Sequence, residues 1–317
     1  MELSIVTSLY RSEESVDDLY ARLTQSAARM TPDYEIVFVN DGAPEASLGT
    51  VLRFVPADPH VRVLDLSRPF GHDLAVSAGC DFARGKRVFV IDVDEDPAWL
   101  DRFWQEMDRT GADVVYGVQT ARKGSLFSDY SARAFTRLFN FVSDVRIPGD
   151  ACTVRLMTRR YVDALQTLRD RALFLAGNYA WAGFRQHPIP VEPPGRTGPP
   201  AYGVFRRLDL FVRAVTAFTA YPLRLIFVLG VLFSLFGCGI ALALVIRKLV
   251  DPSSVLIGWA SLTASIWLLG GVIIAFLGVI GLYLSTAFIE AKDRPRFIVQ
   301  GLRAADAAQP HGPPPGG

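Results

Sequence analysis

The sequence predicts an α/β domain built on a largely parallel sheet, followed by helices that belong to a membrane. Three observations carry this. Short apolar, β-branched runs alternate with helical patterns over residues 1–200. Polar turns follow two of those runs, at the carboxyl ends where open α/β sheets collect their ligands. Residues 222–289 are dominated by apolar side chains. The chain of 317 residues is 50% hydrophobic with a net charge of +1, which excludes a disordered chain and gives no basic excess for nucleic acid.

Taken in order, "SIVTSLY" (4–10) reads as a buried strand. Ser12 is placed to cap a helix whose first turn holds Glu13 and Glu14 and whose inner face holds Val16, Leu19 and Leu23. "YEIVFVNDG" (34–42) is a second strand running into a turn at Asn40, Asp41 and Gly42. "VRVLDLS" (61–67), "RVFVIDVD" (87–94) and "ADVVYGV" (112–118) are further strands, and "GHDLAVSAGCDFARG" (71–85) is a helix stopped by Gly85. Cys80, Cys152 and Cys238 have no metal-type spacing and read as buried thiols of a reducing compartment. No signal-peptide pattern opens the chain.

The fourth strand runs straight into Asp92, Asp94, Glu95 and Asp96. Four carboxylates in five positions repel one another, so something positive is expected among them. Hard divalent cations take carboxylate oxygens, and Mg²⁺ usually joins one or two of them to substrate phosphates. Asp92 and Asp94 alternate with Val93, so on an extended chain both face the same way. Glu95 and Asp96 read as caps for the helix after Pro97, or as further help to the cation. A solvated loop is the plain alternative.

Arg122, Lys123, Arg133 and Arg137 surround an amphipathic pattern with Phe135, Leu138, Phe139 and Val142 on its apolar side. Arginine's planar fork suits phosphate oxygens; a solvated cationic face is the other reading. From Leu225 to Ile246 no charge interrupts the chain, enough to cross a bilayer. Ser253 to Ile289 is again uncharged and longer than one upright crossing needs. The short link between them makes an antiparallel hairpin. Its outer flanks carry Arg206, Arg207, Arg213, Arg224, Lys292, Arg294 and Arg296, which places both ends and the soluble domain on the cytoplasmic side. Phe205, Leu208, Phe211, Val212, Val215 and Phe218 suit a helix lying in the headgroup plane. The predicted plan is a domain over 1–200, a surface helix over 201–221, two crossings over 222–289 and a tail over 290–317 with a disordered end.

The motifs "YEIVFVNDG", "SRPFGHDLAVSAGCDFARG", "IDVDEDP", "YGVQTARKGS", "RLMTRRYVDAL", "AWAGFRQ" and "AKDRPRFIV", in this order, resemble the membrane-bound family 2 glycosyltransferases that load a sugar onto polyprenyl phosphate. Dolichol-phosphate mannose synthases and bacterial undecaprenyl-phosphate transferases are of this type. The resemblance implies a GT-A (Rossmann-like) fold, a nucleotide-sugar donor, a polyprenyl phosphate acceptor, Mg²⁺ or Mn²⁺, and an inverting transfer. It implies that Asp92 and Asp94 bind the metal and act in catalysis with Arg122 and Arg133. It assigns the nucleotide to Tyr10, Asn40, Asp41, Arg68, His72 and Asp92, although a place at a helix start accounts for His72 equally well. Ser8 stands where the family's opening motif has proline, Asn40 where an aspartate is usual, and Thr153 where some bacterial members have aspartate. Transfer to a lipid hydroxyl, or a nucleotide-sugar-binding scaffold without turnover, are the rival functions. The glycines of the second crossing, Gly270, Gly271, Gly278 and Gly281, also permit self-association.

Overall fold

A computed structural model describes residues 1–9, 16–42, 45–120, 136–137, 139–141, 143, 145–168, 170, 174–192, 219–250 and 258–305. The elements run β1 (Leu3–Leu9), α1 (Val16–Met30), β2 (Tyr34–Asn40), α2 (Glu45–Phe54), β3 (Val61–Leu66), α3 (His72–Phe82), β4 (Arg87–Val90), α4 (Trp99–Thr110), β5 (Val114–Gln119), β6 (Ala151–Thr158), α5 (Arg159–Thr167), α6 (Leu175–Trp181), β7 (Gln186–Val191), α7 (Tyr221–Val250), α8 (Trp259–Ala291) and β8 (Val299–Ala304).

The eight strands form one sheet in the order β7-β5-β6-β4-β1-β2-β3-β8. β4, β1, β2 and β3 are parallel, β6 enters antiparallel between β4 and β5, β7 pairs parallel with β5, and β8 closes the far edge antiparallel to β3. β1 and β2 are buried along their whole length because both faces of the sheet are covered, which is why apolar residues fall on both of their faces rather than alternating with exposed ones. One face packs Leu19, Leu23, Phe103 and Met107 of α1 and α4 against Ile5, Phe38 and Phe89. The other packs Ala75, Val76, Tyr161 and Tyr179 against Val6, Val37 and Val88. α3 lies especially close: a Cβ at Gly79 would sit 2.3 Å from Val6 Cγ1 and 2.9 Å from Val39 Cγ2.

Two regions differ from the sequence reading. The fourth strand stops at Val90, not Asp94: its pairing with β1 ends at Val6, the Ile91 amide donates to Val6 O, and the Glu95 amide then donates to Asp92 O (3.1 Å). Residues 92–95 are therefore a turn, and the strand alternation expected to align Asp92 with Asp94 does not apply. No strand is expected from the sequence in the tail, yet Val299–Ala304 joins the sheet.

α7 and α8 carry a mostly apolar and exposed surface, with Phe227, Leu235, Ile274 and Leu284 turned outward. Among the described residues Leu269–Ala291 is long and apolar enough to cross a membrane, and Tyr221–Gly237 is a shorter apolar stretch. The Tyr283 hydroxyl donates to Thr219 O (2.7 Å), bringing the end of α8 beside the start of α7. The expected surface helix up to residue 218, the link at 251–257 and the tail from 306 lie outside the described residues.

Candidate active site

The turns after β2, β3 and β4 meet at the carboxyl end of the sheet. Asp41 is fully buried there, and its two carboxylate oxygens accept from the Phe70 (2.6 Å) and Gly71 (2.8 Å) amides. Asn40 is buried too and donates from Nδ2 to Asp65 Oδ1 (2.7 Å). Both are expected nucleotide contacts; in this structure Asp41 shapes the loop that starts α3, and Asn40 ties β2 to β3. Gly42 is required beside them: φ is +71°, and a Cβ would lie 2.5 Å from Pro69 Cγ. Arg68 is exposed, donates to Pro69 O and lies over the Phe70 ring.

That loop delivers His72 to the first turn of α3. Its Nδ1 lies 3.0 Å from Ser8 Oγ at the end of β1, and its Nε2 lies 3.5 Å from Asp92 Oδ1. The imidazole therefore faces the acidic turn, so the helix start and the site are one location. The sequence reading left these as alternatives.

In the turn, Glu95 is not a helix cap. It is 5% exposed and folds back so that its carboxylate accepts from the Asp92 amide (2.8 Å), with the Val154 amide as a second donor. Asp96 accepts from the Ala98 amide (3.0 Å). Burial, then the Asp92 and Asp94 charges, push the Glu95 carboxyl up to about 8. Neither Asp94 nor Glu95 has a lysine or arginine at ion-pair distance among the described residues, and His72 faces Asp92. No three His, Cys, Asp or Glu side chains come together as a preformed cage among the described residues. The donor set thus fits a hard cation that arrives with a diphosphate, which supplies the remaining oxygens.

Asp94 opens onto a cleft of about 610 Å³ whose walls include Arg22 and Trp99, with Arg102, Thr120 and Glu192 around it. Cys152, beside the turn, is buried, and burial pushes its thiol up to about 11; Cys80 is buried as well, and its thiol is raised by the same cause. The expected Tyr10, Arg122 and Arg133 lie outside the described residues, as do Ser12 and Lys123. Of the phosphate-side residues Arg137 is described, and it is exposed.

Three contributors escape sequence reasoning. Ser8 is separated from His72 by 64 positions, so the pairing has no local signal. Glu95 is expected as a helix cap or as help to the cation, and its inward turn to hold the Asp92 amide has no sign in the sequence. Arg155 on β6 is buried, donating to Thr153 O (3.0 Å) and Cys152 O (3.0 Å), with its guanidinium 3.4 Å from the Tyr179 ring centre. A cation in a strand gives no sign of facing inward.

The profile described as Glycosyl transferase family 2 matches residues 4–166. A protein of Mycobacterium tuberculosis (strain CDC 1551 / Oshkosh), named as a glycosyltransferase, is 39% identical over 96% of this chain and 90% of its own. Glycosyltransferase YkcC of Bacillus subtilis (strain 168) is 35% identical over 95% and 94% respectively. The SfII prophage-derived bactoprenol glucosyl transferase of Shigella flexneri is 30% identical over 95% and 98%. The mixed α/β sheet is GT-A-like, in keeping with these matches. The chain belongs to glycosyl transferase family 2.

Proposed function

We propose that this chain transfers a sugar, with inversion, from a nucleotide-sugar donor to a polyprenyl phosphate at the cytoplasmic face of a membrane. The observation that carries the reading is the acidic turn after β4, which gathers Asp92, Asp94 and Glu95 at the carboxyl end of the sheet, with Asp94 opening on a cleft. Relatives matching nearly the whole chain and named bactoprenol glucosyl transferase support the acceptor. Asp92 and Asp94 would hold Mg²⁺ or Mn²⁺, which when bound supplies charge neutralisation for a leaving diphosphate. His72 keeps its place at Asp92 through Ser8, and Glu95 holds the turn by accepting from the Asp92 amide.

The reaction forms a bond between a phosphate oxygen of the lipid and the anomeric carbon, and breaks the bond from that carbon to the nucleoside diphosphate. A lipid phosphate is anionic at neutral pH, so it needs positioning and charge screening more than a base. Thr153 in place of an aspartate is compatible with that. Arg122 and Arg133 are assigned to the phosphate.

The membrane part of the reading is a two-helix hairpin of α7 and α8, with exposed apolar surfaces that ask for lipid. Phe141 is 74% exposed and meets the Tyr221 ring (centroids 6.1 Å apart) where α7 begins. Aromatic residues collect at the membrane–water boundary, so this pair suits the headgroup level. The test is nucleoside diphosphate release by detergent-purified protein given short-chain polyprenyl phosphate, Mg²⁺ and a panel of UDP-, GDP- and TDP-sugars. Release that requires lipid phosphate, metal and Asp94 is expected. Donor binding with no lipid-dependent release would reject the reading.

A further inference from the structure

The segment after α8 grips the catalytic domain within a few residues of leaving the apolar helix. The Lys292 and Asp293 amides donate to Phe288 O and Glu290 O (3.2 Å each), and Asp293 turns the chain with φ +47°. Pro295 removes a further degree of freedom. Arg296 follows, with its side chain 13% exposed. Its Nη2 donates to Asp81 Oδ2 (2.9 Å) near the end of α3, and its Nη1 donates to Leu168 O (3.1 Å) just past α5. Phe297 packs on the core of that face, Ile298 O accepts from the Ser67 amide (2.9 Å), and β8 then pairs with β3.

A largely buried ion pair contributes little net stability, since desolvation offsets the Coulomb gain; its better-attested use is to fix register. Register needs fixing here. β8 is a short edge strand with no fully buried residue, and such strands slip readily. A guanidinium bonded to two elements does not slip. Asp81 also sits on the helix whose other end presents His72 to Asp92, about 14 Å away along the helix axis.

Resting on the transfer to lipid phosphate proposed above, we infer that Arg296 and Asp81 are positioning residues that fix the acidic turn's depth and tilt relative to the bilayer. A lipid phosphate is confined to the headgroup plane, so it reaches the anomeric carbon only if the domain is held at one height. A soluble acceptor has no such requirement.

The full-length chain in lipid vesicles tests this. Asp81→Asn with Arg296→Gln keeps a neutral hydrogen-bonded pair and leaves no lone buried charge; Arg296→Lys keeps the charge and loses the two-point grip. Turnover is compared with long-chain polyprenyl phosphate in the vesicles and with a short-chain, water-soluble one. Energy transfer to headgroup-labelled lipid is read from a dye on Arg109→Cys, at an exposed position of α4, in a Cys238→Ser background. The double variant is expected to lose ten- to roughly a hundredfold on the vesicle-held acceptor, and to stay within about twofold on the soluble one. Its energy transfer should shift or broaden. Equal losses on both acceptors with unchanged transfer, or no loss on either, would overturn the inference. If the parent chain turns over neither acceptor, the proposed function fails, and the energy transfer alone decides whether the pair sets the domain's height.

Discussion

The two ends of the central strands both bury carboxylates, and they treat them in opposite ways. At the amino end, Glu35 is 1% exposed, and both of its carboxylate oxygens are answered. Its oxygens accept from Arg62 (2.8 Å), from Ser4 Oγ (2.6 Å) and from the Arg84 amide (2.6 Å). Arg62 continues to Phe82 O, Ser4 Oγ accepts from the Gly85 amide, and Arg159 reaches Ala83 O and Gly85 O. At the carboxyl end, Asp92, Asp94 and Glu95 share a turn faced by His72, whose Nε2 lies 3.5 Å from Asp92 Oδ1. The same chemistry thus serves two ends: at the closed one, charge paired on itself fastens α3 to the sheet, and at the open one Asp94 stands exposed on the cleft.

Four substitutions break or sharpen that contrast. The largest effect is expected at the open end. Asp94→Asn should lower lipid-dependent turnover by about 10³-fold, since several kcal/mol of charge stabilisation is at stake and each 1.36 kcal/mol is tenfold. Its denaturation midpoint should stay at or above that of the parent, because a repulsive charge is removed. Steady-state kinetics and urea melts read the two halves of this claim.

At the closed end the signs reverse. Glu35→Ala strands Arg62 in the interior and should cost about 3–5 kcal/mol of stability. The molecules that remain folded should keep close to full turnover. A loss of activity per folded molecule would mean that the two ends are not separate. Gly42→Ala is intermediate, at about 2 kcal/mol, from a left-handed φ together with contact on Pro69. Because it pushes on the loop that carries His72, it should also raise the apparent KM for the donor.

The smallest expected effect is a slope. Folding raises the Glu95 carboxyl from an ordinary 4.5 to about 8, so the folded chain holds a proton that the unfolded chain has released. Stability should therefore fall as pH rises through that window. Glu95→Gln should flatten the fall. Urea titrations of the metal-free protein across the window measure it, and Mg²⁺ with a nucleoside diphosphate should flatten it too, by offsetting Asp92 and Asp94.

Much of this was legible in the sequence, for definite reasons. β1 to β3 are sandwiched between helices and so carry apolar residues on both faces, while the helix expected over 71–85 forms over His72–Phe82 and ends before Gly85. The acidic cluster was visible because like charges seldom crowd at the end of a buried strand. What stayed hidden depends on distance along the chain or on geometry. His72 meets Ser8 and Asp92 only after three strands assemble. The turn at 92–95 cannot be told from two more strand residues when Val93 continues the pattern. β8 is short, contains Gly301, and follows an apolar helix that gives no hint of a return to the sheet.

The central claim is the proposal that Asp92 and Asp94 hold a divalent cation together with a nucleoside diphosphate. The most direct measurement is Mn²⁺ binding followed by electron paramagnetic resonance, with and without nucleoside diphosphate, on the parent chain and on Asp92→Asn and Asp94→Asn. The account predicts weak binding alone, much tighter binding with the diphosphate, and loss of that gain in both variants. Mn²⁺ binding that is indifferent to the diphosphate, or unchanged when either aspartate is replaced, would contradict it.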